Sequence, residues 1–352
     1  MEHYLDKFPG RIVQTDKGEY RYFGGTAYLG LQTRSDFIEH YTENIMHYGT
    51  HYGASRASNV RFSIYDKVEQ YLAQYIGSEH CITLSSGYMA SQLVGQYFST
   101  SEFSAYRTPS SHDSLTAPGQ IQVDSYEQLK VALENKPKGK TAVILLDSID
   151  FMGLNYPEFK GLQSLELQDS IVVVDDSHGL GVIGPNGSGV FKHLSQLPIG
   201  ELIVCGSLGK GFGLQLGGVF ATKNRIEHLG QSPIFGGSSP ATPATVATLI
   251  QTRYIMDKQR ERLKYNLEQF CDLLENQGLF IHPGDHPTFT FLDEQLTLHL
   301  YRNKIIVTSF PYPTKDSPQM SRIVISAFHT SQDIKTLAQA INTYKKTSKT
   351  YR

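Results

Sequence analysis

Cys205-Gly206-Ser207-Leu208-Gly209-Lys210-Gly211-Phe212-Gly213 is the stretch around which the chain is organised. One lysine stands among four glycines, just after the apolar run Leu202-Ile203-Val204 and just before Gly217-Gly218-Val219-Phe220. That setting is poor for a solvated face and good for letting a bulky partner reach the backbone. It points to Lys210 as the site of a covalent bond to a cofactor. Two other runs end in the same manner, Ala142-Val143-Ile144-Leu145-Leu146 in Asp147 and Ile171-Val172-Val173-Val174 in Asp175. Continuous apolar runs of this length read as parallel strands covered by helices on both faces. Ligands bind at the carboxyl ends of such strands, so Asp147, Asp175 and Lys210 are expected on one edge of a sheet.

The 352 residues exceed a single small core and predict a large domain plus a smaller one. A net charge of −2 with both signs interspersed gives no electrostatic case for nucleic acid or an anionic membrane. Cys81, Cys205 and Cys271 are odd in number and lack metal-ligand spacing, which predicts a reducing compartment and no metal centre. The N-terminus has no signal-peptide core, and no run approaches the ~20 apolar residues of a membrane span. A soluble cytoplasmic protein is expected.

Residues 1–45 read as an N-terminal arm, 46–244 as the large domain and 245–352 as a smaller α+β domain. Tyr65, Val68, Leu72, Tyr75 and Ile76 recur at helical spacing, and Gly77 stops that helix. Cys81-Ile82-Thr83-Leu84 is strand-like, Ser85-Ser86-Gly87 a turn, and a helix starts near Tyr88. Residues 241–277 read as helical. Beyond Gly278 the segments Leu279-Phe280-Ile281, Phe289-Thr290-Phe291-Leu292, Ile305-Ile306-Val307 and Arg322-Ile323-Val324-Ile325 read as strands, and Ser331 as the cap of a closing helix at 332–344.

Asp175-Asp176-Ser177-His178 places an aspartate at the end of a buried strand, where it stays ionised only beside something cationic. A pyridinium nitrogen is such a partner. Alone, such an aspartate more often caps a turn, and a histidine three residues on is more often structural. Gly179-Leu180-Gly181-Val182-Ile183-Gly184 spells the dinucleotide fingerprint, but four polar residues separate it from the strand and Pro185-Asn186-Gly187-Ser188-Gly189 continues a loop. Nor is Lys210 a P-loop lysine, with Val204 in place of the first glycine and Gly211 in place of the Ser or Thr. Ser86-Gly87-Tyr88 is a strand-to-helix turn whose N–H groups suit a phosphate. His112, in Pro109-Ser110-Ser111-His112-Asp113, suits stacking on an aromatic ring.

In order, these features resemble the fold-type I pyridoxal-phosphate enzymes, and within them the α-oxoamine synthases, which include 8-amino-7-oxononanoate synthase and serine palmitoyltransferase. The resemblance covers roughly residues 20–345. Tyr28-Leu29-Gly30-Leu31, Gly53-Ala54-Ser55-Arg56, Ser86-Gly87-Tyr88, Val174-Asp175-Asp176-Ser177-His178-Gly179, Gly209-Lys210-Gly211-Phe212-Gly213 and residues 322–330 carry it. It implies an α/β fold with a mostly parallel central sheet flanked by helices, a smaller C-terminal α+β domain, and a homodimer.

The resemblance further implies Lys210 as the Schiff-base lysine, Asp175 on the pyridine nitrogen, His178 on the phenolic oxygen and His112 stacked on the ring. Ser207, Ser86, Gly87 and Tyr88 would hold the phosphate. Arg322 would clamp the amino-acid carboxylate, with Thr26 and Tyr28 beside the substrate. The implied reaction joins an amino acid to an acyl thioester of coenzyme A or a carrier protein, releasing CO2 and leaving an α-amino ketone. Thr26 replaces a customary Asn, Tyr65 a His, Asp147-Ser148 a Glu-Gly, and Gly236-Gly237 a Ser/Thr pair that Ser238 or Ser239 would stand in for. An aminotransferase or lyase on the same cofactor, and a non-catalytic binding protein of the same fold, are the alternatives.

Overall fold

The computed structural model describes residues 2–312 and 314–348. It divides into two units, a larger one of Ser35–Asp150 and Leu154–Ile255 and a smaller one of Met1–Arg34, Phe151–Gly153 and Met256–Arg352.

A seven-stranded sheet forms the larger unit, in the spatial order His80–Leu84, Gly217–Ala221, Ile199–Ser207, Leu167–Asp175, Thr141–Asp147, Phe103–Arg107 and Ile121–Gln122. Gly217–Ala221 runs antiparallel to both neighbours, and every other pairing is parallel. The apolar runs lie in its middle, where Val143, Leu145, Val173, Ile203 and Val219 are fully buried. Burying a side chain of this kind contributes about 1.5–3 kcal/mol. Register then fixes the working edge, because Asp147 pairs with Asp175 and Asp175 with Cys205 at one level.

Two helices against this sheet are encoded locally. Ile64–Ile76 buries Tyr65, Val68, Leu72 and Ile76 on one face, and Gly77 ends it at φ 97° with its N–H on Ala73 O at 2.8 Å. Gly87–Tyr97 starts where Ser86 Oγ accepts the Met89 N–H at 3.2 Å.

The smaller unit carries a five-stranded sheet in the order Ile12–Thr15, Gly18–Phe23, Ile305–Pro311, Gln319–Val324 and Thr288–Phe291. Here the expected arm at 1–45 is replaced by two separate pieces. Ile12–Thr15 and Gly18–Phe23 form a hairpin whose second strand pairs in parallel with Ile305–Val307, while Ser35–Tyr48 is a helix of the larger unit. The partner strand lies far along the chain, so no local pattern marked this segment. The expected boundary at 244/245 moves to Ile255/Met256, because Pro243–Gln251 buries Ala244, Val246, Ala247 and Leu249 within the larger unit. Residues 241–277 are likewise not one helix, since Pro243–Gln251 and Arg253–Leu273 break at Thr252. Leu279-Phe280-Ile281 supplies only an isolated bridge from Ile281 to Thr290. The last helix, Ser331–Ser348, is capped one residue before Ser331: Thr330 Oγ1 accepts the Asp333 N–H at 3.2 Å, and Asp333 Oδ2 accepts the Thr330 N–H at 2.9 Å. No helix among the described residues is long and apolar enough to cross a membrane.

Candidate active site

At the carboxyl edge of the large sheet a cavity of about 240 Å³ is lined by Ser86, Gly87, Tyr88, His112, Asp175, His178, Ser207 and Lys210. These residues sit far apart in sequence and meet because their strands end in register. Lys210 follows the strand Ile199–Ser207 by three residues, and its Nζ lies 2.8 Å from His178 Nε2. The glycines around it serve close approach, as their density suggests, yet the neighbour at Gly211 belongs to the chain itself. A Cβ there would stand 2.1 Å from Leu180 O. The segment 179–184 that spells a dinucleotide fingerprint is therefore a loop packed against the Lys210 turn, with no helix in it.

Asp175 is buried, and its carboxylate takes three hydrogen bonds. Oδ1 accepts the Ser177 N–H at 2.9 Å, while Oδ2 accepts Ser91 Oγ at 3.1 Å and Ser114 Oγ at 3.3 Å. The His112 ring is oriented from the same cluster. Its Nδ1 accepts the Ser114 N–H at 3.0 Å and lies 2.7 Å from Ser114 Oγ. A backbone N–H can only donate, so the proton of the neutral ring sits on Nε2. Burial pushes the His112 imidazole below its ordinary range.

Two more carboxylates surround this group. Asp147 Oδ1 accepts the His112 N–H at 3.0 Å, and burial together with the Asp175 charge holds the Asp147 carboxyl well above the usual carboxylate range. Asp176, fully buried, accepts Ser148 Oγ at 2.5 Å and the Val190 N–H at 2.9 Å. Burial raises the Asp176 carboxyl to about 7, against the pull of those two donors. Ser148, in one of the positions that depart from the family pattern, thus has a definite partner.

The strand-to-helix turn closes the other end. Ser86 Oγ takes the Met89 N–H, and the first N–H groups of a helix, here Gly87 and Tyr88, have no acceptor within it. Ser207 lies directly against them, since a Cβ on Gly87 would come 2.5 Å from both Ser207 N and Ser207 Cβ. The Ser207 N–H is held by Ser177 Oγ at 2.8 Å.

Ser91, Ser114 and Ser177 contact the site and were missed from the sequence. Ser91 had a signal, being a polar residue on the inward face that Ala90, Leu93 and Val94 define. Ser177 stood inside the Asp-Asp-Ser-His motif, whereas nothing local marks Ser114. Among the substituted positions, Tyr65 Oη donates to Ala241 O at 2.6 Å, and Gly236 O accepts Ser55 Oγ at 2.5 Å.

The remaining three candidate residues lie in the smaller unit, where Thr26, Tyr28 and Arg322 line a cavity of about 710 Å³. The Arg322 guanidinium stands 3.4 Å from the Phe151 ring centroid. Tyr28 is buried, which pushes its phenol up, with the Arg322 charge opposing. Its backbone oxygen accepts the Ala327 N–H at 2.9 Å.

Residues 27–341 match the family described as aminotransferase class I and II. The 8-amino-7-oxononanoate synthase of Dechloromonas aromatica is 26% identical, with 94% of this chain and 92% of that one aligned. Among solved structures, serine palmitoyltransferase of Sphingomonas wittichii superposes with a TM-score of 0.82 at 18% identity, covering 99% of this chain and 93% of the other. A lysine-to-alanine variant of serine palmitoyltransferase from S. paucimobilis, with a bound PLP–myriocin aldimine, gives 0.82 at 21% identity, covering 98% and 92%. At these identities the structural likeness speaks for the fold, that of fold-type I pyridoxal-phosphate transferases.

Proposed function

The chain belongs to the aminotransferase class I and II family, and from that premise we propose that it is a pyridoxal-phosphate-dependent acyltransferase. It joins an amino acid to an acyl thioester, of coenzyme A or a carrier protein, and releases CO2 to leave an α-amino ketone. The observation that carries this reading is Lys210 Nζ at 2.8 Å from His178 Nε2, in one cavity with the buried Asp175 carboxylate.

The residues present fit the cofactor. Gly87 leaves room at Ser207 that a side chain would fill, so the helix N-terminus and the Ser207 hydroxyl form one cradle for a phosphate. Asp175, braced by three donors, would face the ring nitrogen. His112, with its proton on Nε2, would cover one face of the ring, and His178 would meet the phenolic oxygen. When bound, pyridoxal phosphate supplies an electron sink for charge developing at an amino acid's Cα.

Lys210 has two duties. Its Nζ would hold the cofactor covalently, and the same amine would serve as the base that takes up the Cα proton of a bound amino acid. His178 Nε2 fixes the position of that amine through the 2.8 Å contact. Arg322 offers two parallel N–H donors to the amino-acid carboxylate, with Thr26 and Tyr28 beside it. Burial and the neighbouring Asp175 charge raise the Asp147 carboxyl above the usual carboxylate range, which weakens its competition with Asp175 for negative charge. A homodimer in the cytoplasm completes the reading, and sedimentation equilibrium is the measurement for the oligomer.

The test is to add pyridoxal phosphate and look for visible absorbance that borohydride traps on Lys210. Lys210→Ala should lose the trapped adduct while still folding and binding the cofactor non-covalently. CO2 release from amino acids should then depend on an added thioester. Equal turnover without thioester would assign an aminotransferase or lyase, and a folded protein with no adduct would be a non-catalytic binder.

A further inference from the structure

The loop that carries His112 follows the strand Phe103–Arg107 and has no regular structure of its own, so its shape is set by what grips it. The His112 N–H donates to Asp147 Oδ1 at 3.0 Å, and the Leu115 N–H closes a turn on His112 O at 3.0 Å. From the helix Gly87–Tyr97, Gln92 Nε2 donates to Ser114 O at 2.8 Å and to Thr116 Oγ1 at 3.3 Å. A Cβ on Gly95 of that helix would stand 2.0 Å from Thr116 O, so loop and helix lie in direct contact. The backbone at Ser114 is thereby held to the same helix whose first turn faces the cavity.

None of these contacts orients the His112 ring, because the torsion that turns an imidazole about its Cβ–Cγ bond is soft and broad. Ser114 supplies the orientation. Its N–H donates to His112 Nδ1 at 3.0 Å, and its Oγ lies 2.7 Å from the same atom. A ring turned by half would put a carbon there, and two donors in a buried place would lose their acceptor. The hydroxyl carries one proton and has a second acceptor in Asp175 Oδ2, but at 3.3 Å, so the imidazole nitrogen is the nearer. Ser91 makes the contrast: its Oγ donates to the same Asp175 oxygen at 3.1 Å, and its other neighbour is Cys205 Sγ at 3.7 Å.

We propose that Ser114 is a positioning residue of this site: its N–H and hydroxyl together grip His112 Nδ1 and fix the imidazole in the orientation from which it would cover the cofactor ring. The role rests on the cofactor reading and adds to it a residue that works through His112. Ser91, which bears on Asp175, is the matched control. All the groups involved belong to the larger unit.

The experiment titrates the protein with pyridoxal phosphate by absorbance and records the visible circular dichroism of the bound cofactor, which reports the asymmetry around its ring. A lost ring stack is worth up to about tenfold in affinity. Ser114→Ala should therefore weaken binding by about fivefold where His112 is present, and by less than about twofold where His112 is already replaced by Ala. Ser91→Ala should lose the same factor in both backgrounds. The visible dichroism should change with Ser114→Ala and hold with Ser91→Ala. Ser114→Cys, which keeps the side chain's shape with only a weak donor, is the second variant and should follow Ser114→Ala. Ser114→Thr, which keeps the hydroxyl, should bind as the wild type does.

An equal loss from Ser114→Ala with and without His112, or unchanged affinity and dichroism, would overturn the inference and leave the cofactor reading standing. Wild-type protein that takes up no pyridoxal phosphate would instead remove the cofactor reading, and the role of Ser114 with it.

Discussion

Gly87→Ala adds one methyl group where the helix N-terminus meets the Lys210 turn. The new Cβ would lie 2.5 Å from Ser207 N, 2.5 Å from Ser207 Cβ and 2.6 Å from Ser207 Cα. Carbon atoms sit comfortably at about 3.5–4.0 Å, so the helix start and the strand end must separate by about 1 Å. Neither side is a flexible tip, because the Ser207 N–H is held by Ser177 Oγ and the Ser86 cap fixes the helix. Overpacking of this kind costs about 1–3 kcal/mol of stability. The larger effect falls on ligand binding, since an error of about 1 Å at a positioned site costs on the order of a hundredfold. Absorbance titration should therefore show pyridoxal phosphate bound on the order of a hundredfold more weakly. Pyridoxal, which lacks the phosphate, should bind wild type and variant alike. Unchanged affinity for pyridoxal phosphate, or an equal loss for both ligands, would refute the assignment of this cradle to phosphate.

Three further outcomes are expected. Asp176 is held protonated to about 7, above its value in an unfolded chain, so it favours the folded state in acid and that advantage is lost as pH rises from about 4 through 7. Asp176→Asn carries no charge at any pH, so denaturation between pH 4 and 8 should show the wild-type decline exceeding the variant's by up to about 4 kcal/mol; parallel profiles would contradict it. Arg322→Ala should raise the KM for the amino acid by about 10- to 100-fold, with kcat little changed, and an unchanged KM would take Arg322 out of the site. Thr330→Ala removes the cap on Asp333 and should cost about 1 kcal/mol locally, read as roughly fivefold faster hydrogen exchange in the first turn of Ser331–Ser348.

Much of the site was legible because each of its main residues sits next to a local structural signal. Asp147 and Asp175 end apolar runs, Lys210 stands among glycines, and Ser86 precedes a helical pattern. What holds those residues was less visible. Ser114 reaches both Asp175 and His112 from a loop with no periodicity, and Ser148 reaches Asp176 from just beyond the end of the neighbouring strand Thr141–Asp147. Glycines around the site also make room for different neighbours, which a linear reading does not separate: Gly211 in the lysine turn makes room for Leu180, and Gly87 at the helix start makes room for Ser207.

The N-terminal hairpin marks the other limit. Tyr20 and Phe23 are buried, yet the strand they belong to is defined by pairing with Ile305–Val307, across nearly the whole chain. No window of sequence contains both halves of that ladder, and the cost of closing so long a loop depends only weakly on what lies between.

By itself, then, the sequence determined the alternation of buried strands and amphipathic helices, the polar residues at the strand ends, and the lysine turn, because hydrophobic periodicity and turn chemistry act over a few residues. Only the tertiary structure decided which strands are neighbours. It set Asp147, Asp175 and Cys205 at one level, gave Asp175 its three donors, and joined residues 12–23 to residues 288–324 in one sheet. Those facts rest on register and on packing between segments distant in the chain, which follow from closing the whole core at once.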